Sequence, residues 1–139
     1  MTLSKNFNLN ELTYSSTAIA NKVSNIPGKL ELENLKKLCT EVLQPIRDKC
    51  NDSIHVTSGY RSPMLNKLVG GSKTSQHVLG QAADITVFSK EGNKKLFDMI
   101  VKMIESKEIT VGQLIDEKDY SWIHISLPYK KVNQILHLK

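Results

Sequence analysis

The sequence lacks any long apolar run, and this absence excludes several classes of protein. Within its 139 residues, no stretch approaches the roughly 18 consecutive apolar residues of a membrane-spanning helix. The first residues, MTLSKNFNLNELTY, contain no continuous apolar segment of the kind that a secretory signal needs. We therefore expect a protein without a membrane span that is made in the cytoplasm without a signal peptide.

Cysteine is scarce, and the two cysteines do not predict a disulfide. Cys39 and Cys50 lie in one segment whose apolar residues follow helical spacing. At a rise of 1.5 Å per residue they would be about 16 Å apart, whereas a disulfide needs Cα atoms less than about 7 Å apart. The sequence predicts two free thiols that pack as small core residues on one face of the helix.

Aromatic residues are few and dispersed, and so are the basic residues. The chain has three Phe, four Tyr and one Trp, and its formal net charge is +5. Basic residues form only short pairs such as Lys36-Lys37 and Lys130-Lys131, and no row of aromatics offers a platform for stacked bases. The charge favours an anionic partner, such as a wall polymer or an acidic peptide. A nucleic acid is not expected as a partner.

Repeats, low-complexity tracts and linkers are also absent, so residues 1–139 are predicted to form one domain. Apolar spacing predicts a helical N-terminal half, whose longest helix covers residues 30–50 and is kinked at Pro45. Strands are predicted at 54–60, 82–87, 111–115 and 122–127, with a helix after Ser89. This order indicates an α+β fold with a small antiparallel sheet and helices packed on one side.

The most informative stretch is SGYRSPMLNKLVGGSKTSQHVLGQAAD, from Ser58 to Asp84. It combines glycines suited to turns with few apolar residues, so its polar residues are not explained as core. His77 and Asp84 can each bind a metal, and His124 in WIHIS is the strongest candidate for a third ligand. Strand alternation places Asp84 and His124 opposite the apolar rows of their strands. We predict a site of His77, Asp84 and His124 with a fourth position for water, as catalytic zinc requires.

A carboxylate beside this site would complete a peptidase by taking a proton from water and delivering it to the leaving amine. Asp116, Glu117 and Asp119 are the candidates, in the predicted turn between the last two strands. Glu117 is our first choice, and Asp119 is the second. Arg61 has a planar fork suited to a carboxylate or a peptide carbonyl, and it is the predicted substrate contact.

Three motifs carry a resemblance to a known family. SGYR, SxHxxGxAxD and WxH occur in this order, within a similarity that extends from Phe7 to about Leu127. The sequence resembles the M15 family of zinc D,D-carboxypeptidases and peptidoglycan peptidases, in particular its short phage and bacterial members. The resemblance implies a compact hedgehog-like fold, one zinc ion held by the two histidines and the aspartate named above, and Arg61 as a substrate-binding residue.

One position departs from the family's pattern. Several members carry the catalytic Glu or Asp three residues before the last zinc histidine, where this chain has Ser121, which is no carboxylate base. Other members, and the related hedgehog signalling domain, carry a Glu at the end of the preceding strand. Glu117 in QLIDE matches that second arrangement.

Together these features predict a zinc metallopeptidase that hydrolyses a bond in peptidoglycan stem peptides, either as a D,D-carboxypeptidase or as an endolysin-type endopeptidase. The alternative is a zinc-containing module that binds wall peptides or another protein without catalysis, and Ser121 motivates it. A basic nucleic-acid-binding domain is the least favoured reading. A monomer is expected, and it would reach the cell wall through phage lysis or unconventional export.

Overall fold

The N-terminal segment opens with a small hairpin followed by two short helices in the computed structural model, which describes residues 1–139. The hairpin strands are Thr2–Ser4 (β1) and Phe7–Asn8 (β2), and the helices are Leu9–Thr13 (α1) and Ser16–Ala20 (α2). The Asn8 side chain accepts from the Glu11 backbone N–H, and the Glu11 carboxylate accepts from the Asn8 N–H. This reciprocal capping fixes the start of α1, as the sequence predicted.

The long helix predicted over residues 30–50 is present, and it is interrupted before Pro45. It consists of Lys29–Leu38 (α3), a π-helical turn at Cys39–Leu43, and Gln44–Lys49 (α4). Proline lacks an N–H and its ring crowds the carbonyl four residues earlier, so a widened turn just before Pro45 accommodates it. Both cysteines are free. Cys39 is in the core as predicted, whereas Cys50 is only partly buried because α4 ends before it.

A five-stranded sheet forms the C-terminal half, and its strand order is β3-β4-β6-β5-β7. The strands are His55–Ser58 (β3), Ala82–Thr86 (β4), Gln113–Glu117 (β5), Trp122–Ser126 (β6) and Gln134–Leu138 (β7). The first four in spatial order are antiparallel, while β7 runs parallel to β5 at the edge. The predicted α+β class is confirmed, and β1, β2 and β7 are strands that the sequence pattern did not predict.

The two faces of the sheet have different roles. One face contributes Ala83 and Ile85 of β4 and Ile123 and Ile125 of β6 to a core of 25 buried residues, which also includes side chains of α3 and of the helix Lys90–Glu105 (α6). The other face carries Asp84 of β4 and His124 of β6. The segment between β3 and β4 lies beside this face. That segment contains the helix Pro63–Leu68 (α5) and a 3₁₀ turn at Gln76–Leu79.

No helix combines the length and the apolar character that crossing a bilayer would require.

Candidate metal centre

His77, Asp84 and His124 lie together on the face of the sheet opposite the core. Asp84 in β4 is the direct partner of His124 in the neighbouring strand β6, so the two side chains project from adjacent strands on the same side. The Oδ1 atom of Asp84 is 3.1 Å from Nδ1 of His124 and 3.4 Å from Nε2 of His77. All three ligand atoms lie within 4.8 Å of one another. The structure thus brings together the three residues that the sequence predicted as one site.

The 3₁₀ turn before β4 directs His77 toward the sheet. Ser75 caps the turn by accepting a hydrogen bond from the His77 N–H. Gly80 ends it in the left-handed region with φ of 71°, and a Cβ atom there would lie 2.5 Å from the carbonyl oxygen of Glu31 in α3. Glycine is required at this position for both reasons. The turn and the close contact with α3 return the chain to the sheet with His77 beside Asp84.

Each of the two candidate ligand histidines is oriented by a hydrogen bond on the ring nitrogen that does not face Asp84. His77 donates from Nδ1 to the carbonyl oxygen of Gly59 at 2.7 Å, which leaves Nε2 facing Asp84. His124 donates from Nε2 to Oε1 of Gln76 at 3.3 Å, which leaves Nδ1 facing Asp84. In the neutral imidazoles these bonds free one nitrogen of each ring to bind a metal, as supporting hydrogen bonds do in known metal sites.

Asp84 is an ionised carboxylate in this setting. Burial raises the pKa of Asp84, but when the two imidazoles are protonated, hydrogen bonds and positive charge from His124 and His77 outweigh that effect and hold the pKa well below its usual range. Its second oxygen, Oδ2, is 3.7 Å from Nη2 of Arg61. Asp84 therefore supplies the negative charge that a cation needs on the buried side of the site.

Arg61 lies at the wall of the same cavity and is held in place by its neighbours. Nε donates to Ser58 Oγ and Nη1 donates to Asn66 Oδ1, each at 3.2 Å. Asn66 is itself packed tightly, since a Cβ at Gly71 would lie 2.0 Å from its Oδ1. A guanidinium has five N–H groups, and those not used by Ser58, Asn66 and Asp84 remain for another partner.

The donor set and the surrounding space fit a divalent metal ion. Two imidazole nitrogens and one carboxylate oxygen are ligands that zinc takes in catalytic sites, where a fourth position stays open. The three residues line a cavity of about 820 Å³, together with Arg61 and Glu117. Ligands on one side and an open cavity on the other are the arrangement that a metal with an exchangeable position needs.

Glu117 is the last residue of β5 and points into this cavity. It pairs with Trp122, while Ile115 pairs with His124, so Glu117 and His124 lie on the same face of the sheet. The Trp122 Nε1–H donates to Oε2 of Glu117 at 3.2 Å. We predicted Glu117 in the turn, but the strand continues through it and the turn begins at Lys118. This places the carboxylate on the strand itself.

The other two acidic candidates lie elsewhere. Asp116 is buried on the core face of β5, where its carboxylate accepts a hydrogen bond from His137 in β7. Asp119 is exposed in the turn, 3.9 Å from Nζ of Lys90, and it is not among the residues that line the cavity. The hydroxyl of Ser121 donates to the backbone carbonyl of Lys118.

Sequence reasoning missed Gln76 and the loop that contains Tyr129, Lys130 and Lys131, all of which line the cavity. No local pattern signals the contact between Gln76 and His124, because 48 residues separate them. The two lysines were visible as a pair, but nothing in their surroundings indicated that the chain returns to the site after β6.

The fold and site together define a small α+β protein with a candidate metal centre, in which two histidines, an aspartate and a nearby glutamate line one open cleft. A protein-family model described as Peptidase M15 matches residues 5–126. The match covers most of the chain, and the chain belongs to the Peptidase M15 family, as its motifs predicted. Among curated proteins no match was found. The family match ends at the last residue of β6, so β7 and the loop before it that carries Lys130 and Lys131 (the lysine loop) lie outside the match.

Proposed function

We propose that the protein is a zinc-dependent metallopeptidase that hydrolyses a peptide bond in peptidoglycan stem peptides. The observation that carries this proposal is the convergence of His77, Asp84 and His124 within 4.8 Å, in a cavity that also contains Glu117 and Arg61. Membership of the Peptidase M15 family supports the peptidase class. The choice of zinc rests on the donor set of two imidazoles and one carboxylate.

The residues around the site have separate tasks in this proposal. Zinc held by the two histidines and Asp84 would supply Lewis acidity, which polarises the scissile carbonyl and lowers the pKa of water toward about 7. Glu117 accepts the proton of the attacking water on Oε1, because Oε2 already accepts from the Trp122 indole. It then delivers that proton to the leaving amine.

Arg61 positions the peptide in this proposal. Its guanidinium lines the cavity and keeps N–H groups that its protein neighbours do not use. These groups suit a carbonyl or a carboxylate of the substrate. The same side chain lies 3.7 Å from Asp84, so it also steadies the ligand carboxylate. Access to the wall would follow release of the protein by phage lysis or unconventional export.

The test is product mass analysis after incubation of zinc-loaded protein with defined muropeptides. We expect a new amine product, whose mass distinguishes loss of a terminal D-residue from cleavage within the stem. Glu117→Gln should bind zinc as the wild type does but lose about 100-fold or more in kcat, the usual contribution of a general base. Asp119→Asn is the matched control and should keep its activity, because Asp119 does not line the cavity.

A second candidate function is a zinc-containing module that binds wall peptides without cleaving them. Its motivation is Ser121, which stands where several family members carry the catalytic carboxylate and whose hydroxyl is bonded to Lys118. If zinc-loaded wild type releases no product from any stem peptide but binds one of them, the peptidase proposal is rejected in favour of this candidate.

A further inference from the structure

The cavity over the candidate metal centre contains more cationic than anionic side chains. Its lining includes four cations and two carboxylates: Arg61, Lys73, Lys130 and Lys131, and Asp84 and Glu117. The Asp84 carboxylate already faces two histidines and Arg61. A divalent ion at the site would increase the positive excess further. The cavity therefore favours a ligand with negative charge.

The three lysines are free to meet such a ligand. Lys73 comes from the loop before His77, and Lys130 and Lys131 come from the loop between β6 and β7. All three are exposed, and none forms an ion pair with a carboxylate of the protein, unlike Lys49, Lys90 and Lys95. Nζ of Lys130 lies 5.9 Å from the centre of the Tyr129 ring.

The strand register shows that the charges are separated along the cleft. Glu117 pairs with Trp122 at one end of the β5–β6 pair, and His124 lies near the middle, opposite Ile115. At the other end the N–H of Gly112 bonds to the carbonyl of Ser126, and the lysine loop begins just after that residue. Two residues of strand, about 7 Å, separate His124 from Ser126. Glu117 and the loop that carries Lys130 and Lys131 thus lie on opposite sides of His124 along the strand pair.

We propose that Lys130 and Lys131, together with Lys73, recognise free carboxylate groups close to the scissile bond of the substrate peptide. The substrates would then be stem peptides with free side carboxyl groups, in preference to the same peptides with those groups amidated. Lysine acts as a point charge, so an amide of similar shape loses most of this attraction. This inference rests on the proposed peptidase function and specifies its substrate class.

The test compares two synthetic stem peptides that differ only in whether their side carboxyl groups are free or amidated. Binding is measured by calorimetry on the metal-free protein, which keeps the peptides intact, and cleavage is measured on the zinc-loaded protein. The variant is Lys130→Gln/Lys131→Gln. Its matched control is Lys94→Gln/Lys95→Gln, which removes the same charge from exposed positions of α6 outside the cavity.

We expect the wild type and the control to bind the free-carboxylate peptide about five- to tenfold more tightly, as exposed charge pairs allow. The ratio of the two affinities should fall below about twofold in Lys130→Gln/Lys131→Gln. It should also fall in the wild type in 0.5 M salt, because salt then screens the attraction between exposed charges beyond a few ångströms. Equal binding of the two peptides by the wild type, or an unchanged preference in the variant, would overturn the inference.

If the preference is found but neither peptide is cleaved, the proposed activity fails while this binding site stands. If both peptides are cleaved but bound equally, the proposed activity stands while the lysine binding site fails.

Discussion

At the scale of single residues, the candidate centre depends on groups that touch the ligands as much as on the ligands themselves. The carbonyl of Gly59 and the side chain of Gln76 each accept a hydrogen bond from one ligand histidine. These bonds select the ring nitrogen that faces Asp84 and keep each ring from rotating. A backbone carbonyl cannot be removed by substitution, so Gln76 is the partner that can be tested.

We expect Gln76→Ala to weaken zinc binding by about tenfold, the lower end of what loss of such a supporting group costs. The reason is that His124 would lose the acceptor that keeps its proton on Nε2. Competition with a fluorescent chelator measures the affinity. Gln134→Ala is a suitable control, since that residue is bonded to Gln113 rather than to a ligand. Equal affinities of Gln76→Ala and wild type would show that Gln76 does not orient the ring.

The two cysteines provide a pH-dependent prediction. Burial, and secondarily the charge of Glu11, raises the pKa of Cys39 from 9.0 to about 12. Because the thiolate is the reactive form, a disulfide reagent at pH 8 should modify Cys50 alone until the protein is unfolded. The unfolded chain releases the Cys39 proton first, so this thiol lowers the free energy of unfolding as pH rises from about 9 toward about 12. Modification of both thiols in the folded protein at pH 8 would contradict this burial.

At the scale of elements, helix α6 supports the turn that follows Glu117. Lys118, Asp119 and Tyr120 have positive φ values of 48°, 55° and 62°, which non-glycine residues adopt only when their surroundings hold them. The buried side chain of Asn93 in α6 supplies that support. Its amide donates to the carbonyls of Tyr120 and Ser121, and its oxygen accepts from the Val87 N–H.

Asn93→Ala should lower the free energy of unfolding by about 2–3 kcal/mol, because it leaves the partly buried Val87 N–H and the Tyr120 and Ser121 carbonyls without this partner. Denaturant unfolding monitored by circular dichroism measures the change. Asn21→Ala removes an exposed amide that bonds within its own helix end, and it should change stability by less than about 0.5 kcal/mol. A loss at Asn93 no larger than that at Asn21 would mean that the turn holds its shape unaided.

Elements with a strong local pattern were predictable, and those that depend on distant partners were not. The apolar spacing of α6 and the alternation of β4 and β6 gave the core face and placed Asp84 and His124 on the opposite one. In contrast, β7 has exposed apolar residues such as Ile135 and Leu138, and it is a strand only because β5 offers a parallel edge. Pro45 predicted a kink, but the form of that kink, a π-helical turn, depends on packing around it.

At the scale of the whole molecule, the residues of the site come partly from the sheet and partly from the segments that connect its strands. Two candidate ligands, Asp84 and His124, come from β4 and β6, which have strands on both sides in the sheet, and their relative geometry is fixed by the register. His77, Arg61 and the lysines come from the connecting segments around them. Sites on a rigid scaffold with recognition residues on loops are common in enzymes. The family motifs predicted the two strand residues and also His77 and Arg61 in the connecting segments, whereas the place of Lys130 and Lys131 beside the site is seen only in three dimensions.

The proposed activity requires that His77, Asp84 and His124 hold one metal ion in the cleft. The most direct measurement is anomalous X-ray scattering at the zinc absorption edge from crystals grown with zinc. We expect one strong peak bonded to Nε2 of His77, a carboxylate oxygen of Asp84 and Nδ1 of His124, at about 2.0–2.2 Å from each. Absence of a peak between these three side chains in crystals saturated with zinc, or a peak bonded to other residues instead, would contradict it.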